Sequence, residues 1–350
     1  MKAIIQLSNR FLEKGLIPDP LVRVGIRGLL KDKLKAERKI QQLQGPDRKK
    51  ELVNFLKSSP IAVNTQEANE QHYELPTEFF ELIMGKHMKY SCGYWKDGVV
   101  DFDTSEHDML ELTVERAALK NGQSVLELGC GWGSLTLFMA QRYPQSQIVA
   151  VSNSATQRNF IENRMKERHI ANVRVITGDM NQFDIDQQFD RVVSVEMFEH
   201  MRNYNKLLEK IARFLKDDGK LFVHIFTHKE YAYLYDEKDE SDWIGKYFFT
   251  GGIMPSDDLL FYFWDYLQVE KHWHISGVHY QKTSEGWLKN MEKNKDQIIP
   301  ILKATYGEDQ YKKWWTYWRV FFMSCAELWG YRNGTEWMVS HYRFNKVTQR

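Results

Sequence analysis

Ser124-Val125-Leu126-Glu127-Leu128-Gly129-Cys130-Gly131-Trp132-Gly133 joins a short apolar run to a glycine-rich turn. The run that ends at Leu128 is typical of a buried strand. The spacing Gly-x-Gly-x-Gly permits a tight turn and lets a ligand approach the backbone closely, although such a turn can also be purely structural. A helical pattern follows at 134–143. The stretch therefore predicts a strand–loop–helix unit that could hold a ligand at its turn.

The glycine spacing argues against a dinucleotide-binding site. Dinucleotide binders use Gly-x-Gly-x-x-Gly and carry an acidic residue on the ribose about 20 residues further on. The next predicted strand instead ends in Val151-Ser152-Asn153-Ser154, without a carboxylate. An enzyme that uses NAD is therefore disfavoured.

Strand and helix patterns alternate around this unit. Further strands are predicted at 147–152, 173–177, 190–195 and 220–226, helices at 155–168 and 204–215, and a return strand at 337–344. Such alternation requires crossover connections, so the sequence predicts an α/β fold with a doubly wound parallel sheet.

The two segments that flank the alternating region differ from it in pattern. Residues 1–65 favour helices with basic and apolar residues, which either pack on their own domain or lie on a membrane surface. Residues 229–325 are rich in aromatic residues and are predicted to be an insertion over the carboxyl edge of the sheet, where such sheets bind ligands. We therefore expect an N-terminal helical cover at 1–115, a binding core at 116–228, a cap at 229–325 and a return strand at 326–350.

Composition limits the class of protein. The 48 Lys+Arg and 47 Asp+Glu give a formal net charge of +1, which argues against a nucleic-acid partner. Three cysteines are too few for a disulfide framework or a Cys-rich zinc site and suit a reducing cytoplasm. No run approaches the ~18–20 apolar residues that span a bilayer. The aromatic content of 14% fits either a large core or an aromatic-lined ligand pocket. The sequence thus predicts a cytoplasmic protein.

The glycine loop, together with Gly178-Asp179 after the third strand, resembles the class I S-adenosylmethionine-dependent methyltransferases. The resemblance implies a Rossmann-like core that binds S-adenosylmethionine and releases S-adenosylhomocysteine. It places the methionine part of the cofactor on the glycine loop, the ribose after the second strand and the adenine after the third. The residues that it assigns to the cofactor are Gly129, Gly131, Gly133, Asn153, Gln157, Asp179 and Met180.

Further motifs narrow the resemblance. They are Gln71-His72-Tyr73-Glu74-Leu75-Pro76, Lys89-Tyr90-Ser91-Cys92-Gly93-Tyr94, Glu196-Met197-Phe198-Glu199-His200, Thr227-His228-Lys229, His279-Tyr280 and Glu336-Trp337-Met338-Val339-Ser340-His341. Together they resemble the cyclopropane-fatty-acid synthase superfamily, and within it the coclaurine N-methyltransferase-like branch. The similarity covers nearly the whole chain and implies a small amine, such as a tetrahydroisoquinoline, as methyl acceptor.

The resemblance also assigns the chemistry. It implies that Glu199 anchors the substrate ammonium and His200 accepts its proton, because a general base beside the sulfonium speeds such a reaction. Glu196 is expected to act beside them and to line the methionine end of the cofactor. The alternative is that Glu199 and His200 only open the following helix.

Other residues receive supporting roles. The resemblance places Tyr90 and Ser91 on the cofactor carboxylate and Glu74 near the amine. His224, His228 and Tyr280 either line the substrate pocket or are hydrogen-bonded core residues. We expect no metal, since His72, His87 and His107 lack the spacing of metal ligands.

Two other functions stay open. A cyclopropane-fatty-acyl-phospholipid synthase would methylenate unsaturated lipid chains and contact a membrane. In those enzymes the equivalents of Cys92, Glu199, His224 and Tyr280 surround a bicarbonate, whereas Phe226 stands where they tend to have a smaller aliphatic residue. A catalytically silent cofactor-binding protein is the other alternative, and homodimer formation is possible in each case.

Overall fold

A single seven-stranded sheet organises the chain. The computed structural model describes residues 11–13, 15–63, 75–235, 248–249 and 251–347. The strands of the sheet are β1 Ser124–Leu128, β2 Gln147–Ser152, β3 Val173–Thr177, β4 Phe189–Val195, β5 Leu215–His228, β8 Leu267–Ile275 and β9 Trp337–Lys346. Their order is β3-β2-β1-β4-β5-β9-β8. A separate two-stranded sheet pairs β6 Tyr233–Leu234 with β7 Ile253–Met254.

The first five strands are parallel, as the alternating pattern predicts. β1 lies between β2 and β4, and Leu126 is in register with Val149 on one side and Val192 on the other. β9 runs antiparallel to β5, which confirms the predicted return strand. β5 begins at Leu215 instead of at 220, because an irregular register between Phe189 and Arg191 lets Leu215 pair with Phe189 before regular pairing resumes at Lys220. The predicted α/β class is confirmed.

Helices cover both faces of the sheet. The helices are α1 Asp19–Gln44, α2 Asp47–Ser58, α3 Thr77–Ile83, α4 Phe102–Arg116, α5 Ser134–Arg142, α6 Ala155–Glu167, α7 Tyr204–Phe214, α8 Gly277–Lys293, α9 Lys295–Tyr306 and α10 Tyr311–Gly330. Apolar residues of α4, α5 and α6 pack with those of β1 and β2 on one face. α2 and α7 supply the core of the other face. Helix α3 and the C-terminal helices α8 to α10 form an aromatic cluster with the ends of β5 and β9.

The stretch 229–325 is not wholly an insertion, which differs from the sequence prediction. Its segment Leu267–Ile275 is β8, an edge strand of the main sheet that pairs with β9 from Leu267↔Lys346 to Ile275↔Val339. The alternation of buried and exposed residues in β8 is weak, because only Leu267 and Ile275 are buried. The sequence of β8 therefore lacks the alternating pattern that would distinguish a strand from the aromatic-rich segments around it.

Helix α1 packs on the body of the protein. Arg23 donates to Glu285 at 2.7 Å and to Glu327 at 3.0 Å, and Arg27 donates to Glu327 at 2.8 Å. These contacts tie α1 to α8 and α10, which favours the packed helix over the membrane-surface alternative. In the part of the chain that is described, no helix has the length and hydropathy needed to cross a bilayer.

Candidate active site

The glycine loop makes a turn that side chains would obstruct. Gly129, Gly131 and Gly133 have φ values of +79°, +53° and +78°, the left-handed region that favours glycine. A Cβ on Gly129 would lie 2.7 Å from Met197 Cβ, and one on Gly133 would lie 2.6 Å from a side-chain carbon of Ile161. The backbone N–H groups of Gly129 and Cys130 donate to Val151 O at the end of β2. The loop is therefore held against the carboxyl edge of the sheet, as predicted.

A cavity opens at this edge beside the loop. Its lining includes most of the residues predicted for the cofactor, namely Tyr90, Ser91, Gly129, Gly131, Asn153, Gln157, Asp179, Met180 and Glu196, and also His200. Gly133 does not line the cavity and instead begins α5 with its close approach to Ile161. The structure thus brings together residues from the ends of β1, β2, β3 and β4.

Polar atoms in this cavity suit a cofactor that carries a nucleoside and an amino acid. Gln157 Oε1 accepts from the Ser152 hydroxyl at 2.6 Å, whereas its buried Nε2 has no hydrogen-bond partner among the described residues. The buried hydroxyl of Ser134, also in the lining, is likewise unpaired within the described ranges. Buried polar groups are costly when unpaired, so these atoms fit a ligand that supplies the missing partners.

Glu196 is the best-connected acid of the site. Its backbone has φ +48°, an uncommon value for a residue with a side chain, at the end of β4. Oε1 accepts from the Cys92 backbone N–H at 3.0 Å and from His224 Nε2 at 3.1 Å, and Oε2 accepts from the Tyr280 hydroxyl at 2.5 Å. Burial raises the pKa of Tyr280 well above its usual value, so the phenol keeps the proton that it donates. The unusual backbone thus aims a carboxylate at three donors.

A chain of hydrogen bonds runs from Glu196 to Arg116. His224 Nδ1 lies 2.8 Å from His341 Nε2, and His341 Nδ1 lies 3.0 Å from the Arg116 guanidinium. Arginine can only donate, so His341 must accept at Nδ1 and donate from Nε2, and His224 must then donate from Nε2 to Glu196. Burial lowers the pKa of both histidines well below the usual value, so both rings are neutral. In each of these three hydrogen bonds the donated hydrogen therefore points toward the Glu196 end of the series.

Two carboxyl groups at this site have different surroundings. Burial raises the pKa of Glu196, but nearby Lys89 and the hydrogen bonds from Tyr280 and Cys92 oppose the rise. Burial raises the pKa of Glu199 further, and the charge of Glu196 adds to that rise. Oε2 of Glu199 is buried without a hydrogen-bond partner among the described residues. A negative charge is therefore better stabilised on the carboxylate of Glu196 than on that of Glu199, and Glu199 is the acid that holds a proton.

Glu199 and His200 do not cap the following helix. They lie in a one-turn 3₁₀ helix, Phe198–His200. The next helix, α7, is capped by Asn203, whose side chain accepts from the Lys206 N–H at 3.0 Å. The structure therefore does not support the alternative that Glu199 and His200 only open the following helix.

The structure separates the three predicted supporting residues. His224 and Tyr280 both contact Glu196. None of the three lines the cavity, and His228 does not contact Glu196: its Nδ1 accepts from the Glu230 and Tyr231 N–H groups, and its ring is fully buried. His228 is thus placed as a hydrogen-bonded core residue. Glu74, predicted near the amine, lies outside the described residues.

Lys89 and Trp132 also line the cavity, although the sequence predicted a role for neither. Lys89 is buried and donates to the Ser91 hydroxyl. Burial lowers the pKa of Lys89, and the charge of Glu196 raises it. Lys89 directly precedes Tyr90, and Trp132 lies between two glycines of the loop. These positions within the motifs were the signal that could have assigned both residues to the site.

Tyr280, Trp329, Phe226 and Phe249 form a row of aromatic rings beside the site, which we call the aromatic wall. Tyr280 stacks on Trp329 at 4.7 Å between ring centroids, and Phe226 lies 5.3 Å from Trp329. Phe249 lies 5.6 Å from Phe226 and 4.6 Å from the His200 ring. A row of rings thus leads from the Tyr280–Glu196 contact to His200.

The sheet with its return strand, the glycine loop and the cavity at the carboxyl edge define a class I S-adenosylmethionine-dependent methyltransferase. The chain belongs to the mycolic acid cyclopropane synthetase family, whose model matches residues 62–332. The suspected superfamily is therefore confirmed.

Relatives from both branches of the family match this chain. It is 40% identical to (S)-coclaurine N-methyltransferase of Thalictrum flavum subsp. glaucum, over 99% of this chain and 97% of that protein. It is 30% identical to cyclopropane-fatty-acyl-phospholipid synthase of Escherichia coli K12, over 77% of this chain and 66% of that protein. A crystal structure of coclaurine N-methyltransferase bound to N-methylheliamine and SAH matches with a TM-score of 0.93 and 38% identity, over 98% of this chain and 100% of that one.

Proposed function

We propose that this enzyme transfers a methyl group from S-adenosylmethionine to the nitrogen of a small amine on an aromatic scaffold of the tetrahydroisoquinoline type. Support comes from coclaurine N-methyltransferases, which match along nearly their whole length, and from the similar crystal structure that contains N-methylheliamine. Cyclopropane synthases are more distant, at 30% identity over 77% of the chain.

The observation that carries this proposal is the position of the Glu196 carboxylate. The resemblance to cyclopropane synthases expects a bicarbonate among the equivalents of Cys92, Glu199, His224 and Tyr280. Here Cys92, His224 and Tyr280 all donate to Glu196. The side chain thus supplies the anionic oxygens that a bicarbonate would offer, which favours the amine branch.

The residues that would hold the cofactor follow from the cavity. Gly129 and Gly131 would leave room for its methionine part, Asn153 and Gln157 would offer amides to the ribose, and Asp179 and Met180 would border the adenine. When bound, S-adenosylmethionine supplies an electrophilic methyl group. Catalysis by the chain then consists mainly of placing the acceptor nitrogen in line with it.

The acids and His200 serve the proton of the substrate. A secondary amine enters mainly as an ammonium ion, which Glu196 stabilises through its charge. A cation beside Glu199 favours the ionised form of that acid, so the amine and Glu199 can form an ion pair. His200, which lines the cavity, takes the proton from nitrogen and frees its electron pair for attack.

The aromatic wall provides the acceptor site. The row from Tyr280 through Trp329, Phe226 and Phe249 to His200 starts at the hydrogen bond to Glu196 and ends at the residue next to Glu199. Ring faces attract organic cations, and an ammonium ion over an aromatic face is stabilised by about 0.5–2 kcal/mol. Phe226 takes up more of the proposed acceptor site than the smaller side chain that the lipid synthases tend to have at this position.

The division into a cover at 1–115, a core at 116–228, a cap at 229–325 and a return strand at 326–350 stays part of this proposal, with β8 assigned to the core. A cytoplasmic location and possible homodimer formation also remain predictions. We propose no role for a metal in the methyl transfer.

Methyl-labelled S-adenosylmethionine with two acceptor pools tests the function. One pool contains tetrahydroisoquinolines and other secondary amines, and the other contains vesicles of unsaturated phospholipid with bicarbonate. We expect label in the amine pool alone. Label in the lipid pool alone would instead establish the cyclopropane synthase, the second candidate, for which the basic helix α1 would be the membrane-facing element. Cofactor binding without label in either pool would indicate a silent protein.

The roles of Glu199 and His200 need their own variants. We expect Glu199→Gln and His200→Ala to lower the turnover number by about 10²–10⁴-fold, the usual contribution of a general base, with cofactor affinity unchanged. Glu167→Gln, on the exposed end of α6, is the matched control. Turnover near that of the wild type in both variants would refute this assignment while leaving the methyltransferase activity intact.

A further inference from the structure

A cluster of two histidines and an aspartate lies outside the cofactor cavity. His272 and His274 alternate along β8, so their side chains project from the same face of this edge strand. His272 Nε2 lies 2.9 Å from Asp257 Oδ1, and His274 Nε2 lies 2.8 Å from Asp257 Oδ2. The three potential ligand atoms are all within 4.8 Å of one another. None of these residues lines the cavity with Glu196.

We propose that Asp257, His272 and His274 form a binding site for a divalent transition-metal ion of the Zn²⁺ type. Two imidazole nitrogens and a carboxylate oxygen are a donor set that suits such ions, and a solvent molecule can complete a tetrahedral shell. The side chain of His274 is 56% exposed, so an ion can enter from solvent.

The surroundings of the cluster fix the direction of its ligands. The His272 ring stacks on Tyr342 at 4.6 Å and meets Phe261 edge-on at 5.4 Å. The Ser340 hydroxyl donates to Asp257 Oδ1 at 2.6 Å, and the backbone N–H of Asp257 donates to His228 O at 2.9 Å. Partners of this kind orient metal ligands and reduce the entropy lost on binding.

The distances are close to those of a metal complex. Ligand bonds of about 2.0–2.2 Å at a tetrahedral angle separate the nitrogen and oxygen atoms by about 3.3 Å. His272 now contacts Oδ1 and His274 contacts Oδ2, and the three ligand atoms lie within 4.8 Å of one another, so they have to shift to reach this spacing around one ion. A small rotation of the exposed His274 ring and of the carboxylate provides this movement.

The ion would bind through the electron pair of Nε2 on each ring and through one carboxylate oxygen of Asp257, with the ring hydrogens on Nδ1. The bound ion would tie the loop after β7 to the edge strand β8.

Zinc titration of the full chain without a polyhistidine tag tests the proposal, with binding followed by competition against a chromophoric chelator. We expect one Zn²⁺ per chain, and a loss of at least about tenfold in affinity for His274→Gln. His107→Gln removes a partly exposed histidine outside the cluster and should bind Zn²⁺ like the wild type. Absence of stoichiometric binding, or equal affinity in His274→Gln, would overturn the proposal and leave a hydrogen-bonded cluster only.

A second measurement does not depend on any variant. Zn²⁺ should perturb the imidazole NMR resonances of His272 and His274 in the wild type, leave those of His224 and His341 unchanged, and raise the melting temperature as binding to the folded state requires. Perturbation of other histidines alone would contradict the assignment. Neither readout involves methyl transfer, so the proposal can fail without affecting the proposed function.

Discussion

His341 and His224 lie directly opposite each other on the antiparallel strands β9 and β5, and their rings are joined by a hydrogen bond of 2.8 Å. Because Arg116 donates to His341, the donors of both rings point toward Glu196. The donor group of Arg116 on α4 thereby fixes the orientation of two neutral histidines at the carboxyl edge of the sheet.

His341→Phe should lower the turnover number by about tenfold, because it removes a hydrogen bond worth about 1–1.5 kcal/mol from the chain that supports Glu196. Without that bond His224 can present a lone pair to Glu196, which raises the pKa of the carboxyl group. The acid limb of the rate–pH profile should therefore move to higher pH.

Steady-state rates between about pH 5 and pH 9 measure this effect, in a range that begins just above the usual glutamate pKa of about 4.3. Phe344→Leu changes another buried side chain of β9 and should leave the profile in place. An unchanged acid limb in His341→Phe would show that the histidine chain has only a packing role.

Glu196→Gln should reduce turnover by about 10²–10³-fold, since the amide carries no charge to stabilise a substrate cation and places an N–H₂ group against existing donors. Cofactor affinity, measured by calorimetry, should change much less than turnover. Glu167→Gln controls for loss of a surface carboxylate. A variant with wild-type turnover would contradict the role of Glu196.

Gly129→Ala should destabilise the protein and weaken cofactor binding. The added Cβ would meet Met197 at 2.7 Å in addition to the strain of a φ of +79°. Gly122→Ala is a matched control, because its φ is +89° but nothing lies within 4 Å of the added atom. Backbone strain alone costs about 1–2 kcal/mol in both, so the excess loss of melting temperature in Gly129→Ala reports the close approach. Equal losses would contradict it.

Glu127→Gln should flatten the pH dependence of stability. Burial raises the pKa of Glu127 to about 8, while a hydrogen bond from Thr136 opposes the rise. The folded state thus holds a proton that the unfolded state loses near its ordinary value of 4.5, so this contribution to stability is complete below pH 4.5 and is lost as pH rises toward 8.

Denaturant unfolding across that range measures the slope, which for one proton is at most about 1.4 kcal/mol per pH unit. The wild type should lose stability with rising pH more steeply than Glu127→Gln. Glu78→Gln, an exposed carboxylate on α3, should keep the wild-type slope. Equal slopes in the wild type and Glu127→Gln would show that Glu127 is ionised in the folded state.

The core of the fold could be predicted because its signals are local. The apolar run 124–128, the glycine spacing and the strand patterns that follow each depend on neighbouring residues, and their positions agree with the observed strands to within a few residues. β8 could not be assigned, because an edge strand with little alternation resembles the loops around it. Its place beside β9 depends on long-range pairing.

The sequence indicated many of the residues of the site but not the hydrogen bonds that join them. The family resemblance named Glu196, His224 and Tyr280, and the structure shows that the last two both contact the first. The same reasoning treated His224 and His228 alike, although they project from β5 into different surroundings. Arg116 was not named and His341 ended a motif without receiving a role, because their contact joins residues that are 225 positions apart.

In the proposed function, the carboxylate of Glu196 takes the place of a bound bicarbonate in an amine methyltransferase. The measurement that decides this is the initial rate of methyl transfer to a tetrahydroisoquinoline in buffer stripped of carbon dioxide, followed by the rate after bicarbonate is restored. We expect the same rate in both conditions and a labelled N-methyl product. A rate that collapses without bicarbonate and recovers with it would show that the enzyme depends on bound bicarbonate and not on Glu196 in its place.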